Sequence, residues 1–485
     1  MRVPFVGPTY SLRSSNVSAQ RCINLYPEAN EAQNGKEGDV ASLQSTPGAR
    51  LHVSFDAALE SGGYKGIHVT RAGVFFGMVG RYVIKRLKNG DVLHADGATL
   101  VPVADRAEHI PAHMADNGVS AYIISGGTAL ITTVDPTTTA QTLTAAALGF
   151  TPLRVDYLDG YFLFPEVNSG RFYISALNGI TVNLLDVGNS EGSPDNIVGA
   201  AVRGREYWLF NESTTEVFYN SGAADFPFVR LEGGFIEVGL AAAESLVKLG
   251  GTLFWISKDE NGAGMVVQND GYGYNRISTH SIEQLLGKSS DISLARAVGY
   301  QKEGHFFYCL NAPGVETTLC YDALTREWHE RAELDQFGGL VQEEFNNYCL
   351  FQSAILRTRP GSTSLFTTEN DIPTVLGSAV PRIRSAPSIS KNLKRVQHNS
   401  FQLDMETGVG LPGTDPQVLL RWSDDGGHTW TDYAAASIGR VGEYGTRAIW
   451  HRLGASRDRV YEVKIVEPVR VTILGADLDA VGLSS

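Results

Sequence analysis

Seven times along its length the chain repeats one grammar: an alternating strand, a turn holding Gly or Asn, an aromatic-rich strand, a polar turn and a third strand. The aromatic runs are FFGM at 75–78, AYIIS at 121–125, YFLFP at 161–165, EYWLF at 206–210, LFWIS at 253–257, HFFYCL at 305–310 and YCLFQ at 348–352. The units begin near positions 73, 120, 161, 205, 252, 304 and 347, a spacing of 41 to 52 residues. A period of roughly 40 to 50 residues is that of a four-stranded propeller blade. A blade has two apolar faces and buries them only against its neighbours, so the array must close on itself to leave no exposed end. A fourth strand is clearest at Thr318–Asp322, the turn Ala-Leu-Thr-Arg and Glu327–Arg331, an outer hairpin with Trp328 buried after its turn. Ala49–Phe55 is the candidate to complete the last blade from the N-terminal side. The expectation is an all-β chain with a β-propeller over residues 46–372. Seven blades are preferred, six stay open, and a non-radial sandwich array is the alternative.

The 485 residues exceed one ordinary core, so at least two domains are expected. The 52 glycines are about one residue in nine and spread evenly, as many tight turns require. Helix signals are confined to Gly239–Leu246 and Ser281–Leu286, each good for a turn or two. Residues 1–45 are polar with little period and read as an N-terminal arm that orders on a neighbour. Pro373, Pro381 and Pro387 mark a linker at 373–395. Beyond it, alternating strands at Val396–Met405, Gln417–Trp422, Arg447–Trp450, Val460–Ile465 and Val469–Leu474 predict a β-sandwich or jelly-roll-like domain over 396–485.

That domain holds one sharp motif, Ser423-Asp-Asp-Gly-Gly-His-Thr-Trp430, which matches the Asp-box pattern S-x-D-x-G-x-T-W at Ser423, Asp425, Gly427, Thr429 and Trp430. Asp425 is expected to accept turn amides, Gly427 to take a conformation closed to other residues, and Trp430 to pack under the hairpin. The motif specifies a turn rather than an activity.

No chemistry-bearing constellation accompanies it. The 11 histidines form no HExxH, HxH or CxxC…HxxxH arrangement, and the spacing of His109 and His113 is interrupted by Pro111 in a strand. Lys258–Gly264 lacks the alternating oxygen ligands of a calcium loop. A Walker A loop and a dinucleotide fingerprint ahead of a helix are missing. Catalytic, metal and cofactor residues are therefore expected to be none. A sialidase-like hydrolase is the nearest enzyme reading, but there is one Asp box, outside the repeats, and Arg382-Ile-Arg384 matches that family's arginine motif only faintly, in the linker. Cys22, Cys309, Cys320 and Cys349 lack disulfide-scaffold spacing and read as reduced structural thiols. The N-terminal Met1–Gly7 shows no secretion signal, and no apolar run approaches the roughly 20 residues of a bilayer span. A net charge of −13 argues against a protein that grips nucleic acid by its phosphates.

Several stretches together resemble the tail hub, or nozzle, proteins of short-tailed bacteriophages, also called packaged-DNA stabilisation proteins. They are Arg21-Cys-Ile-Asn-Leu-Tyr-Pro-Glu28, Thr46-Pro-Gly48, Pro194-Asp-Asn-Ile-Val-Gly199, Thr214-Thr-Glu-Val-Phe-Tyr219 and Gly304-His-Phe-Phe-Tyr308. Tyr321-Asp322, Trp328-His-Glu-Arg331 and the Trp450–Arg459 segment complete the set, which runs through nearly the whole chain. The resemblance implies a structural virion protein, not an enzyme, made in the host bacterial cytoplasm and placed in the virion tail. It implies a homo-hexameric ring below the portal and its adaptor protein that continues the DNA channel and retains the packaged genome until ejection. Its partners would be tail spikes or fibres, often a central plug or needle, and double-stranded DNA passing without sequence-specific binding; membrane insertion is not expected. A host-surface glycan-binding adhesin is the competing class.

Overall fold

The computed structural model describes residues 1–11, 19–29, 40–54, 63–80, 82–86, 92–95, 110–134, 140–259, 262, 264–390, 394–410 and 412–483. Tyr207, Trp208, Leu209 and Phe210 in the repeat's second strand are all fully buried, odd and even positions alike. A strand dry on both faces must lie between two layers, and each of these strands sits inside one blade and between two others. Six blades are continuous in sequence, each antiparallel and ordered as the chain runs, over residues 64–95, 112–143, 156–189, 197–236, 247–276 and 296–334. Their hairpins are tight: Leu158 pairs with Tyr161 across Asp159 and Gly160, whose φ of 48° and 94° match the right-handed strand twist.

A seventh, composite blade closes the ring. Tyr348–Phe351, Ala354–Thr358 and Ser364–Glu369 form three strands, and Gly48–Ser54 from the N-terminal side pairs with Ser364–Glu369 as the fourth. The aromatic run at 348–351 is therefore the innermost strand of its blade, one place earlier than its counterparts in the other units. Ring pairs mark the blade contacts: Tyr122 with Phe162 at 4.9 Å, Phe172 with Tyr207 at 5.7 Å, Phe210 with Trp255 at 5.1 Å and Phe254 with Tyr308 at 5.6 Å. Tyr300 stacks on Tyr348 at 5.1 Å between blades 6 and 7, and Phe75 meets Phe351 at 5.8 Å where blade 7 returns to blade 1. Between blades 1 and 2 the contact is built on Met78, Val83, Ile123 and Leu130. Each aromatic pair adds about 0.5–1.5 kcal/mol beyond its buried area.

The second domain is a β-sandwich. One sheet runs Leu25–Ala29, Val40–Ser45, Thr472–Gly482, Val396–Met405, Ala448–His451, with Arg2–Val3 also on Thr472–Gly482. The other runs Ala19–Ile23, Arg382–Ser385, Asp458–Ile465, Gln417–Ser423, Ala434–Ser437. Phe5, Cys22, Leu25, Leu43, Phe401, Leu420, Tyr461, Val463 and Ile473 fill the space between them. Two expectations are corrected here. The described parts of residues 1–45 are not an arm awaiting a neighbour but five strands and core side chains of this chain's own sandwich. Residues 373–395 are not a plain linker: Thr374–Val375 pairs with Gly48–Ser54, and Arg382–Ser385 is an interior strand. Short helical segments appear at Ala243–Ser245, inside its expected stretch, at His280–Leu286, one residue longer than expected, and also at Ala145–Leu148 and Ile292–Leu294.

The two domains share a sheet. Ile23 pairs with Glu330 in parallel, so the outer strand of blade 6 continues into the sandwich. Asn24, at φ 54°, turns the chain there; its Nδ2 donates to the carbonyls of Ala332 (2.7 Å) and Pro381 (2.8 Å), and its Oδ1 accepts from Ala332 N (3.0 Å). Glu330 is buried and accepts from Arg21 Nη2 (2.6 Å), Thr317 Oγ1 (2.7 Å) and Thr9 Oγ1 (3.0 Å). Burial alone would raise its pKa, but Arg21 and these hydroxyls outweigh that and hold it below the usual range.

Gly48, which opens the closing strand, has no room for a side chain: a Cβ would lie 2.2 Å from Ile372 O and 2.3 Å from Thr374 O. Backbone cannot yield as a flexible side chain can. Gly48→Val is therefore expected to destabilise the whole fold by about 1–3 kcal/mol or more, read as a lower urea midpoint. An unchanged midpoint would show that the closing strand contributes nothing.

Candidate functional site

The Asp-box turn lies between Gln417–Ser423 and Ala434–Ser437. Asp425 Oδ1 accepts from His428 N (3.0 Å) and Thr429 N (2.8 Å), and Oδ2 from Thr429 Oγ1 (2.6 Å). Ser423 Oγ donates to Asp425 (2.6 Å) and accepts from Gly427 N (2.8 Å), while Gly427 sits at φ 97°. Trp430 Nε1 donates to Gly427 O (3.1 Å), and its ring lies under the Arg421 guanidinium at 4.6 Å. The Ser423 and Thr429 hydroxyls and the turn amides depress the Asp425 pKa. Both carboxylate oxygens are thus engaged inside the turn, which leaves Asp425 a poor general acid or base.

Asp424, which the motif leaves unspecified, ties the turn to the core. Arg459 grips it through Nε (2.6 Å) and Nη2 (2.8 Å) and donates Nη1 to Leu453 O (2.6 Å). Beside Arg459, His398 is buried with Tyr461 Oη 2.8 Å from Nδ1 and Ser456 Oγ 3.1 Å from Nε2. Burial, with Arg459 nearby, pushes its pKa down to about 4.

The arginine motif weighed for a sialidase is unavailable to a substrate. Arg382 and Arg384 are buried in an interior strand and donate mainly to backbone: Arg382 to Val380 and Pro373 carbonyls, Arg384 to Phe5 O (2.6 Å) and Pro8 O (2.8 Å). His113 lies on the innermost strand of blade 2 and pairs with Glu244 at 3.3 Å; His109 falls outside the described residues. Among the described residues no three His, Cys, Asp or Glu side chains gather as a metal site, and all four cysteines are free. No helix among them is long and apolar enough to cross a membrane.

Sequence reasoning missed a cavity of about 680 Å³ lined by the innermost strands of several blades. His68, Arg71, Asp116, Arg154, Asp156, Asp159 and Lys248 are its titratable lining, drawn from blades 1, 2, 3 and 5. Asp116 is fully engaged, by His68 Nε2 at 2.8 Å and the amides of Gly118 (3.0 Å) and Arg71 (3.3 Å). No local pattern joins positions 68 and 248, so nothing in the sequence could have found the cluster.

A family model described as "Bacteriophage P22 Gp10, beta-propeller" matches residues 1–331, and one described as "Bacteriophage P22 Gp10, beta-sandwich" matches 382–481. The chain belongs to the bacteriophage P22 Gp10 family. It is a structural tail protein of that family, and both matched domains are the ones observed. No curated protein matches it individually. Among solved structures it is similar to virginiamycin B lyase from Staphylococcus aureus, with 9% identity, 66% of this chain and 99% of that one covered, and a TM-score of 0.43. It is also similar to YCF48 from Cyanidioschyzon merolae, with 12% identity, coverages of 66% and 99%, and a TM-score of 0.41. Likenesses this distant carry no argument about function. In this Gp10-family chain three of the stretches that bear the family resemblance meet at the junction, where they place Arg21, Asn24, Gly48 and Glu330.

The His398 environment gives a signed pH dependence. Its folded pKa of about 4 is below the unfolded value of about 6.5. As pH falls through that window the unfolded chain takes a proton that the folded chain refuses, so stability is lost on acidification and unaffected above it. His305 moves the other way, because Asp322 at 2.6 Å raises its pKa. The diagnostic is therefore the difference between wild type and His398→Gln. From pH 6.5 to 4, wild type should lose unfolding free energy relative to the variant; a constant difference would refute the assignment.

Proposed function

We propose that this Gp10-family chain is the tail hub, or nozzle, subunit. Copies form a homo-hexameric ring below the portal and its adaptor, continue the DNA channel, retain packaged DNA and dock spikes or fibres. The observation that carries this reading is the sheet shared by blade 6 and the sandwich, with buried Glu330, Arg21 and Asn24 at the joint. Such a joint makes a stiff two-lobed block, as a load-bearing ring segment needs, rather than two tethered modules.

The distribution of sheet edges supports assembly. The outer edges of blades 6 and 7 are covered within the chain, by Ala19–Ile23 and Thr374–Val375. Blades 3 and 4 instead end in the long strands Val182–Asn189 and Phe228–Ile236, which expose Leu184, Leu185, Val229 and Phe235. Long edges with apolar side chains are a liability unless another chain covers them. A net charge of −13 fits a passage through which DNA slides without sticking. Retention then comes from a plug or a closed conformation, not from electrostatic grip.

The test is an image of the assembled tail, with DNA affinity measured on the free protein. A ring on the tail axis is expected, its inner wall acidic or neutral, with no micromolar DNA binding near physiological salt. A monomer bound peripherally to the particle would overturn the hub reading, and a channel lined mainly by Lys and Arg would overturn low-friction passage.

A further inference from the structure

Blade 6 holds two thiols face to face. Cys309 on its second strand and Cys320 on its third are direct partners across the antiparallel ladder. Such partners keep their Cα atoms about 4.5 or 5.5 Å apart, according to the hydrogen-bonding phase of the pair, and a disulfide spans about 4.4–6.8 Å. Direct partners also send their side chains to the same face of the sheet. Here the two sulfurs lie 2.8 Å apart, and both residues are buried. The other two cysteines are placed differently: Cys22 Sγ donates to Leu25 O (3.2 Å), and Cys349 stands opposite Leu356 in blade 7. Among the described residues no third ligand joins Cys309 and Cys320 to make a metal site.

The pair lies where blade 6 meets its neighbours. Tyr26 from the sandwich, Tyr300 and Phe307 from blade 6, and Phe345 and Ile355 on the blade 7 side pack into one cluster with both cysteines. Arg331, buried over the Phe307 ring at 4.8 Å, is close enough to both sulfurs to feel their charge. Burial, with Cys309 beside it, pushes the Cys320 thiol well above its ordinary range despite Arg331. The thiolate is the reactive form, so a thiol held in this way oxidises slowly and stays reduced wherever glutathione and thioredoxin are at work.

We propose that Cys309 and Cys320 are an oxidation site: a dithiol in the newly made chain, and a disulfide that staples blade 6 once the chain meets a two-electron oxidant outside the cell. One S–S bond forms and two S–H bonds break; two protons pass to water and two electrons to the oxidant, which in air is dioxygen, reduced to hydrogen peroxide. The sulfurs already face each other, so the blade need open only far enough to admit a small molecule. The bridge ties together two strands that pack towards blade 7, and it limits the freedom of the unfolded chain. The chemistry belongs to the single chain and needs no ring. Only its timing rests on the tail reading, in which the chain is made in a reducing cytosol and leaves it in the particle.

Mass spectrometry of the full chain tests it. Glu303–Arg326 is one tryptic peptide that holds Cys309, Cys320 and no other cysteine. Chain purified under reductant is exposed, still folded, to air or diamide, then unfolded, alkylated and digested. Before oxidation the peptide should take up two alkyl groups. Afterwards it should take up none and be lighter than the dithiol by two hydrogen atoms, while Cys22 and Cys349 still take label. The oxidised chain should melt a few degrees above the reduced one, and Cys309→Ala/Cys320→Ala should show no such difference between the two conditions. A peptide that still takes two labels, one that carries sulfinic or sulfonic oxygen instead of a bridge, or the same mixture of pairings as in urea would each overturn the proposal. A bridge that leaves the melting temperature unchanged would overturn the staple. In released particles the same peptide should be bridged, and free thiols there would overturn oxidation on release. None of these outcomes depends on the ring, which the image of the tail tests separately.

Discussion

A propeller blade is stable only when both its faces are covered, and in this chain the last cover comes from a single short strand, Gly48–Ser54. Without it blade 7 would present Ser364–Glu369 as an open edge, and the ring would lose the blade that joins Tyr348 to Tyr300 on one side and Phe351 to Phe75 on the other. The same stretch serves the second domain. Val40–Ser45, two residues upstream, pairs with Thr472–Gly482 in the sandwich. One segment of chain therefore fastens both cores, and the strain-free passage between them depends on a position, Gly48, where only hydrogen fits. The two domains are better regarded as one knot tied from both ends of the chain than as beads on a linker.

Around that knot the buried groups are unusually polar. Glu330, Arg21, Asn24 and Thr9 form one satisfied network. Next to it, between blades 6 and 7, buried Arg331 and Arg357 flank one carboxylate, Glu343, and donate to the hydroxyls of Tyr300 and Tyr348. An apolar joint of the same size could be as stable, because desolvating ions costs several kcal/mol each. Directional bonds instead fix how the two lobes sit.

What could be read from the sequence was what is local. Second strands announced themselves because Tyr207–Phe210 are apolar on both faces, and the Asp box because Ser423, Asp425 and Thr429 bond within four residues of one another. The N-terminal residues were illegible for the opposite reason. Arg2–Val3 is two residues long and its partner, Ala476–Asp477, lies at the far end of the chain. Arg382 and Arg384 looked like linker residues since their charge is met by backbone carbonyls of residues such as Phe5, which no composition argument foresees. The cavity among the innermost strands was hidden likewise, its lining spread from His68 to Lys248.

Native-state hydrogen exchange of residues 40–54 bears most directly on this account. If the segment fastens both cores, its amides exchange only by the largest opening of the molecule, together with those of Ser364–Glu369 and Thr472–Gly482. Fast exchange across 40–54 while both partner strands stay protected would show instead that the ring and the sandwich hold without it.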